Sequence, residues 1–109
     1  MIERGQFILV AMPGDYGKPR PALIVQSNLF AALPSVVVCP LTSTIRIDAD
    51  QFRIDVSPSE ATGLLQASQI MIDKITTIPM SKIGGVVGQA DDTLMVRVNR
   101  ALALFLGVV

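Results

Sequence analysis

Histidine and tryptophan are absent from these 109 residues, and cysteine occurs once. A zinc site lacks its usual ligands, and an internal disulfide is impossible. The usual acid or base near neutral pH is missing too, so any such chemistry falls to Arg, Lys, Asp, Glu, Tyr or hydroxyl groups. We therefore expect no metal and no cofactor. The single Cys39 ends a run of valines, where a buried and inert thiol is expected.

Net charge is also missing, since nine basic and nine acidic side chains cancel. A general nucleic-acid-binding coat is therefore disfavoured, although a local basic site is not. No apolar segment runs far enough to span a bilayer, so we expect no membrane association. The opening Met1–Gly5 lacks the layout of a signal peptide, which predicts a cytoplasmic protein. The length predicts one domain over residues 1–109, and the 50% hydrophobic content predicts apolar surface covered by another chain.

Hydrophobic patterning predicts a mainly β domain closed by one C-terminal helix. We expect strands at residues 6–12, 21–26, 36–42, 51–56 and 69–75, and a short one at 86–87. Ser27-Asn28 is expected to cap a short helical turn that Pro34 ends, and residues 45–50 to form a mobile loop. Asp91 or Asp92 should cap the final helix. Its apolar stripe is Leu94, Val98, Ala101, Leu102 and Phe105.

The most informative stretch is Gly17–Ser27, in which Arg20 stands between two prolines at the mouth of an apolar strand. Proline fixes its own φ and pushes the preceding residue towards extended geometry, so Lys18 and Arg20 lie on stiff, non-helical backbone. A planar, always-charged guanidinium suits phosphate recognition. A solvated strand flank explains the same residues, and this stretch alone leaves both interpretations open.

Three consecutive hydroxyl residues, Thr42–Thr44, follow the most apolar predicted strand. Hydroxyl groups are frequent at strand ends for structural reasons alone. A hydroxyl next to a guanidinium can also bind a phosphodiester and stabilise charge that develops on it. The presence of two polar strand-end clusters in one small antiparallel domain, this one and Lys18 with Arg20, favours a site.

A third polar cluster consists of Asp73-Lys74 and Thr76-Thr77. The simpler interpretation of this cluster is a surface ion pair, which contributes little to stability. Its functional interpretation depends on the resemblance that follows.

These segments resemble the MazF/PemK-type toxins of bacterial toxin–antitoxin pairs. The likeness runs from Arg4-Gly5-Gln6 through residues 13–27 and 38–43 to residues 99–107, and R-P-A-L-I-V-Q followed by P-L-T-S is its most specific part. The resemblance implies a small SH3-like antiparallel β-barrel closed by a C-terminal helix, and a homodimer. It also implies a sequence-specific endoribonuclease that needs no metal, cleaves single-stranded mRNA and arrests growth. A cognate antitoxin would block it through a disordered C-terminal segment.

Carried over residue by residue, the family's catalytic arginine falls on Arg20 and its catalytic threonine on Thr42. The RNA's own 2′-hydroxyl would then attack the adjacent phosphate. The products would be a 2′,3′-cyclic phosphate and a 5′-hydroxyl. The remaining residues expected to bind RNA are Lys18, Ser43, Thr44, Lys74, Thr76 and Thr77.

Two departures keep alternatives open. Many family members carry Gln-x-Arg-Thr where this chain has Lys74–Thr77, so the RNA sequence that is cut cannot be carried over. Residues 78–84 look instead like CcdB, a toxin of the same fold that poisons DNA gyrase and is no nuclease. CcdB makes its gyrase contact with a C-terminal tryptophan, which is missing here. A third alternative, a peptide-binding SH3-like module, needs an aromatic-lined groove, and four Phe and one Tyr make that weak.

Overall fold

The computed structural model describes residues 2–11 and 18–108. Within them the chain forms strands β1 to β7, helix α1 and three short 3₁₀ turns. The strands are β1 (Gln6–Val10), β2 (Arg20–Ile24), β3 (Ser35–Thr42), β4 (Arg53–Val56), β5 (Ser68–Met71), β6 (Thr76–Pro79) and β7 (Ile83–Gln89). The 3₁₀ turns are Asn28–Phe30, Ile72–Lys74 and Met80–Lys82, and α1 is Asp92–Leu106. None of the described helices is long and apolar enough to cross a bilayer.

All strand pairs are antiparallel, in the order β4-β5-β3-β2-β1-β7, with β6 paired to β3 off this path. The expectation of a mainly β domain with one C-terminal helix is confirmed. Across residues 2–11 and 18–108 no ladder joins β4 to β7, so the pairing follows an open path. Closure into a barrel stays a prediction.

The second half of the sheet differs from the predicted strands. The strand expected at 69–75 ends at Met71, and Ile72–Lys74 form a 3₁₀ turn. Strand β6 was not expected, and β7 extends well beyond residues 86–87. The three glycines of β7 have low strand propensity, but its ladder with β1 outweighs that preference. The last residue predicted for the first strand, Met12, lies outside the described residues.

Strand β3 changes partners along one of its edges. Residues 35–38 pair with β6, whereas Leu41 and Thr42 pair with β5. Pro40 lies between these two ladders, where its missing N–H costs no hydrogen bond on that edge. The Ile72–Lys74 turn connects the two partner strands. The end of β3 beyond Pro40 is thereby paired with β5 on this edge.

Both faces of the sheet are apolar. Alternate residues point to opposite faces, so Leu23 joins the larger core cluster beneath α1, whereas Ala22 and Ile24 join a smaller cluster on the other side. Strand β2 is therefore buried on both faces from Ala22 to Ile24.

Helix α1 begins as predicted at an aspartate cap. The Leu94 N–H donates to Asp91 Oδ1 at 2.8 Å, and Gly107, with φ 73°, ends the helix in the left-handed region. Val98, Ala101 and Leu102 are buried against the sheet. Phe105, expected in the same stripe, is 48% exposed, because the last turn does not pack into the core.

Candidate active site

The β2–β3 register brings Arg20 and Thr42 together. Ala22 pairs with Pro40, and Ile24 pairs with Val38. Continuing this register by two residues sets Arg20 opposite Thr42, with both side chains on one face of the sheet. On its other edge Arg20 pairs with Val10 of β1, which holds its backbone in the sheet. The guanidinium itself is exposed, and the threonine is half-buried.

Two clefts meet at this pair. The first, which we call the polar cleft, has a volume of about 550 Å³ and is lined by Arg20, Pro40, Leu41, Thr42, Ser43, Thr44, Met71, Lys74 and Thr76. The second, the apolar cleft, has about 280 Å³ and is lined by Leu9, Arg20, Pro21, Leu41, Thr42, Ser43, Gly63, Leu64, Leu65, Gln66, Ser68 and Val87. Arg20 and Thr42 line both clefts, so a group bound to them has access to either side.

The Thr42 hydroxyl is oriented by the turn that follows it. The Thr44 N–H donates to Thr42 Oγ1 at 3.1 Å, so one lone pair of that oxygen is occupied. A hydroxyl retains its own proton as a donor in such an arrangement. Thr42 is therefore set up to donate a hydrogen bond to an acceptor in the clefts, such as a phosphate oxygen.

Gln69, which the sequence patterns did not single out, anchors the loop after the hydroxyl residues. It pairs with Thr42 in the β3–β5 ladder and is 2% exposed. Its Oε1 accepts from the Arg46 N–H at 3.0 Å, and its Nε2 donates to the Arg46 carbonyl at 2.9 Å and to Asp55 Oδ1 at 2.8 Å. Residues 45–50, expected as a mobile loop, are irregular, but this amide and the buried Ala49 tie them to the domain.

Asp73 forms an ion pair with Arg53. Arg53 Nε donates to Asp73 Oδ1 at 2.7 Å and Nη2 donates to Oδ2 at 3.0 Å. Strand alternation predicts an outward Arg53, yet its side chain is only 9% exposed. The hydrogen bonds from Arg53 lower the pKa of Asp73, and those to Asp73 raise the pKa of Arg53. The pair fixes the 3₁₀ turn that carries Lys74 into the polar cleft.

Most of the predicted site residues meet at the polar cleft, but two do not. Lys18 is exposed and lines neither cleft. Thr77 is exposed on β6, and alternation turns it to the face opposite Thr76. The residues that line the polar cleft as expected are Arg20, Thr42, Ser43, Thr44, Lys74 and Thr76.

The buried thiol plays no part in the site. Burial raises the pKa of Cys39 to about 12, so the thiol stays protonated at neutral pH. The expectation of a buried thiol at this position is confirmed, and the elevated pKa is that of an unreactive one.

Comparison with known proteins identifies the family. The family model for "PemK-like, MazF-like toxin of type II toxin-antitoxin system" matches residues 3–106. The chain is 47% identical over 108 residues to a "Probable endoribonuclease MazF" of Mycolicibacterium smegmatis, covering 98% of each chain. Its fold is similar to an "Endoribonuclease in complex with its cognate antitoxin" from a mycobacterial species, with a TM-score of 0.82, 27% identity, and coverage of 100% of this chain and 98% of that one.

A further solved structure supports the fold alone. The "Mycobacterium tuberculosis toxin MazF-mt6" superposes with a TM-score of 0.79 at 23% identity, over 94% of this chain and 96% of that chain. The expected strand-rich architecture with a C-terminal helix is shared with these toxins. The chain belongs to the PemK-like, MazF-like toxin family of type II toxin–antitoxin systems.

Proposed function

We propose that this protein is a toxin that cleaves single-stranded RNA, including mRNA, at defined sequences without a metal, and so arrests growth. The observation that carries the proposal is that Arg20 and Thr42 both line the two clefts where these meet. The 47% identical relative is named as a probable endoribonuclease, which supports the same activity here. The similar antitoxin-bound structure supports a toxin role.

RNA can supply the nucleophile for this reaction. The 2′-hydroxyl oxygen attacks the adjacent phosphorus, its proton leaves to solvent, and the bond from phosphorus to the 5′-oxygen breaks. The departing 5′-oxygen takes up a proton and becomes a 5′-hydroxyl, and the other fragment ends in a 2′,3′-cyclic phosphate. The protein's task is to align the ribose with the phosphate and to stabilise the additional negative charge.

Arg20 and Thr42 would share that task. A guanidinium carries a positive charge and presents a planar set of donors, so Arg20 stabilises the equatorial oxygens of the phosphorane. Thr42, whose oxygen already accepts from Thr44 N–H, donates a hydrogen bond to a non-bridging oxygen. Lys74 attracts the RNA backbone through its charge.

The remaining predicted contacts would hold RNA next to the reacting phosphate. Ser43, Thr44 and Thr76 offer hydroxyl groups along the polar cleft. Lys18 and Thr77, which line neither cleft, remain proposed contacts for RNA that extends beyond the clefts.

The alternative of a gyrase poison receives no support. The matched family model and the named relatives are MazF-type toxins, and CcdB is not among them. The sequence also lacks tryptophan, the residue type on which the CcdB contact depends.

The proposal includes an assembly. We propose one domain over residues 1–109, with strands arranged as a small SH3-like barrel, that forms a homodimer and binds the disordered C-terminal segment of its antitoxin. Exposed apolar side chains support a covered surface, since Leu29, Phe30 and Leu33 are respectively 88%, 56% and 49% exposed. A small domain gains stability by covering such a patch.

The test compares Arg20→Ala and Thr42→Ala with matched controls. Arg100→Ala and Ser81→Ala remove the same groups at exposed positions that line neither cleft. Each purified protein is incubated with RNA in excess EDTA, and the cut ends are sequenced. We expect wild type and controls to leave cyclic phosphates and 5′-hydroxyls, and the site variants to be slower by roughly 10²–10³. Equal rates for all four variants would refute the site, and loss of wild-type cleavage in EDTA would refute independence from metal.

A further inference from the structure

We propose that the apolar cleft binds one nucleobase, carried by a nucleotide next to the scissile phosphate, and thereby helps to set the RNA sequence that is cut. The inference rests on the proposed function and adds a subsite to it. Residues of the 63–68 segment form one wall of this cleft, which we call the outer wall. This wall contains none of the residues that the sequence predicted to bind RNA.

The two clefts differ in the chemistry that they offer. The polar cleft carries Lys74 and several hydroxyl groups, which suit a charged sugar–phosphate backbone. The lining of the apolar cleft is mostly aliphatic, and Arg20, at its border with the polar cleft, is its only charged member among the described residues. Apolar walls bind the faces of an unstacked base and give nothing to a phosphate. The pair at the junction therefore separates a backbone side from a base side.

The outer wall is fixed before any ligand binds. Residues 61–63 cross β7 so closely that a Cβ on Gly63 would lie 2.0 Å from the Val87 carbonyl oxygen. A Cβ on Gly88 would lie 2.1 Å from the Thr62 carbonyl. The Gln89 N–H donates to the Ala61 carbonyl at 2.8 Å, which closes the crossing. A wall held at backbone contact preserves the shape of the cleft, and a preformed cleft loses less entropy on binding.

The mouth of the cleft carries groups that suit a base edge. Gln66 has an exposed side chain there, and an amide can both donate to and accept from a base. Ser68 Oγ donates to the Gln66 carbonyl at 3.0 Å, which fixes the backbone of that turn. Leu65 is 96% exposed, so its side chain is available to cover a bound base. A volume of about 280 Å³ is at the low end for ligand sites and suits one base rather than a stack.

RNA is favoured over an apolar side chain of a protein partner because of what the cleft adjoins. Arg20 and Thr42 line it, so a phosphate held by that pair brings its own nucleoside to the opening. An apolar side chain of a protein carries no phosphate, so binding at Arg20 and Thr42 would not direct it to the cleft. Binding of such a side chain is one of the outcomes that the experiment separates.

The experiment uses Leu65→Ala and Gln66→Ala in the full-length protein. Both positions are exposed, so neither change removes buried contacts. Leu106→Ala and Gln51→Ala are the matched controls, since both residues are exposed and line neither cleft. Each protein is given a random-sequence RNA pool to map the cut sites. It is then given the preferred RNA, either intact or with one abasic ribose on either side of the scissile phosphate. The abasic ribose keeps the 2′-hydroxyl and removes only the base.

For wild type and controls, we expect kcat/KM to be about tenfold lower for RNA that is abasic at one flanking position than for intact RNA. For each cleft variant, the same comparison should give a difference of less than about twofold. In the pool, the variants should relax base preference at that position alone. Unchanged preference in both variants, or no wild-type preference at either flanking base, would overturn the inference. So would variants that cut normally but escape inhibition by the antitoxin, since the cleft would then serve a protein. Failure of the wild-type protein to cut RNA, or full cleavage by Arg20→Ala, would instead refute the proposed function.

Discussion

Asp73→Ala should destabilise the protein by about 3 kcal/mol. The change removes two charge-assisted hydrogen bonds, at 2.7 and 3.0 Å, and leaves the guanidinium of Arg53 buried without its carboxylate. Breaking a buried ion pair by removing one partner costs about 3–5 kcal/mol, and the 22% exposure of the aspartate places this pair at the low end. Urea unfolding at fixed protein concentration measures the change, because association would otherwise shift the apparent stability.

The matched control is the double variant Arg53→Met with Asp73→Leu. It removes both charges and leaves no unpaired ion, so we expect it to recover most of the stability lost in Asp73→Ala. A cost below about 1 kcal/mol for Asp73→Ala would show that the contact is an ordinary surface ion pair, and the reasoning from burial would fail.

The same pair predicts a pH dependence. The hydrogen bonds from Arg53 hold the pKa of Asp73 below its usual range, so the folded state binds its proton less readily than the unfolded chain does. The contribution of ionised Asp73 to the free energy of unfolding is therefore complete above the unfolded pKa of about 3.9. It is lost as pH falls through the lower pKa of the folded state. The stability difference between wild type and Asp73→Ala should be constant near pH 7 and should shrink below about pH 4. A difference that stays constant down to pH 2 would contradict this assignment.

Three other outcomes are expected. Gly63→Ala should lower the free energy of unfolding by more than about 4 kcal/mol in thermal or urea unfolding, since φ is +71° and the new Cβ would meet the Val87 carbonyl. A decrease below about 1 kcal/mol would show that the backbone crossing can shift to accommodate a side chain. Light scattering at tens of micromolar should show a dimer, and the antitoxin should block RNA cleavage; a monomer would argue strongly against the assembly. Deleting Val108-Val109 should preserve RNA cleavage and growth arrest, because Arg20 and Thr42 lie on β2 and β3. Gyrase-dependent DNA breaks that vanish on deletion would instead restore the gyrase alternative.

Local patterning predicted the first half of the sheet well. Strands β1 to β3 lie within two residues of their expected bounds, apart from the end of β1, because each is a run of apolar residues bounded by turn formers. Strand β6 contains two threonines and a proline, and β7 contains three glycines, so neither carries a strand pattern of its own. Both form because β3 and β1 offer free edges, which is information from across the sheet and not from the local sequence.

The residues of the candidate site also divide into those with a local sequence signal and those without one. Arg20 and Thr42 were singled out because rigid prolines and a hydroxyl cluster at strand ends are local features. Their catalytic role was carried over from the family resemblance and stays a prediction. Strand alternation alone points Arg53 outward, and its burial is explained only by Asp73, twenty residues later. Gln69 also sits in an ordinary strand sequence, and its role depends on the Arg46 backbone that it meets in the fold.

The division of β3 at Pro40 affects how such a toxin can diversify. The position of Arg20 relative to Thr42 depends on the β2–β3 register. The polar cleft, in contrast, receives Lys74 and Thr76 from the Ile72–Lys74 turn and the start of β6. The wall of the apolar cleft comes from a third connection, residues 63–68. If the proposed site is correct, mutations in either connecting segment would change which RNA is accepted without altering the strand pair that carries Arg20 and Thr42. On this proposal, substrate choice and reaction rate can therefore evolve separately.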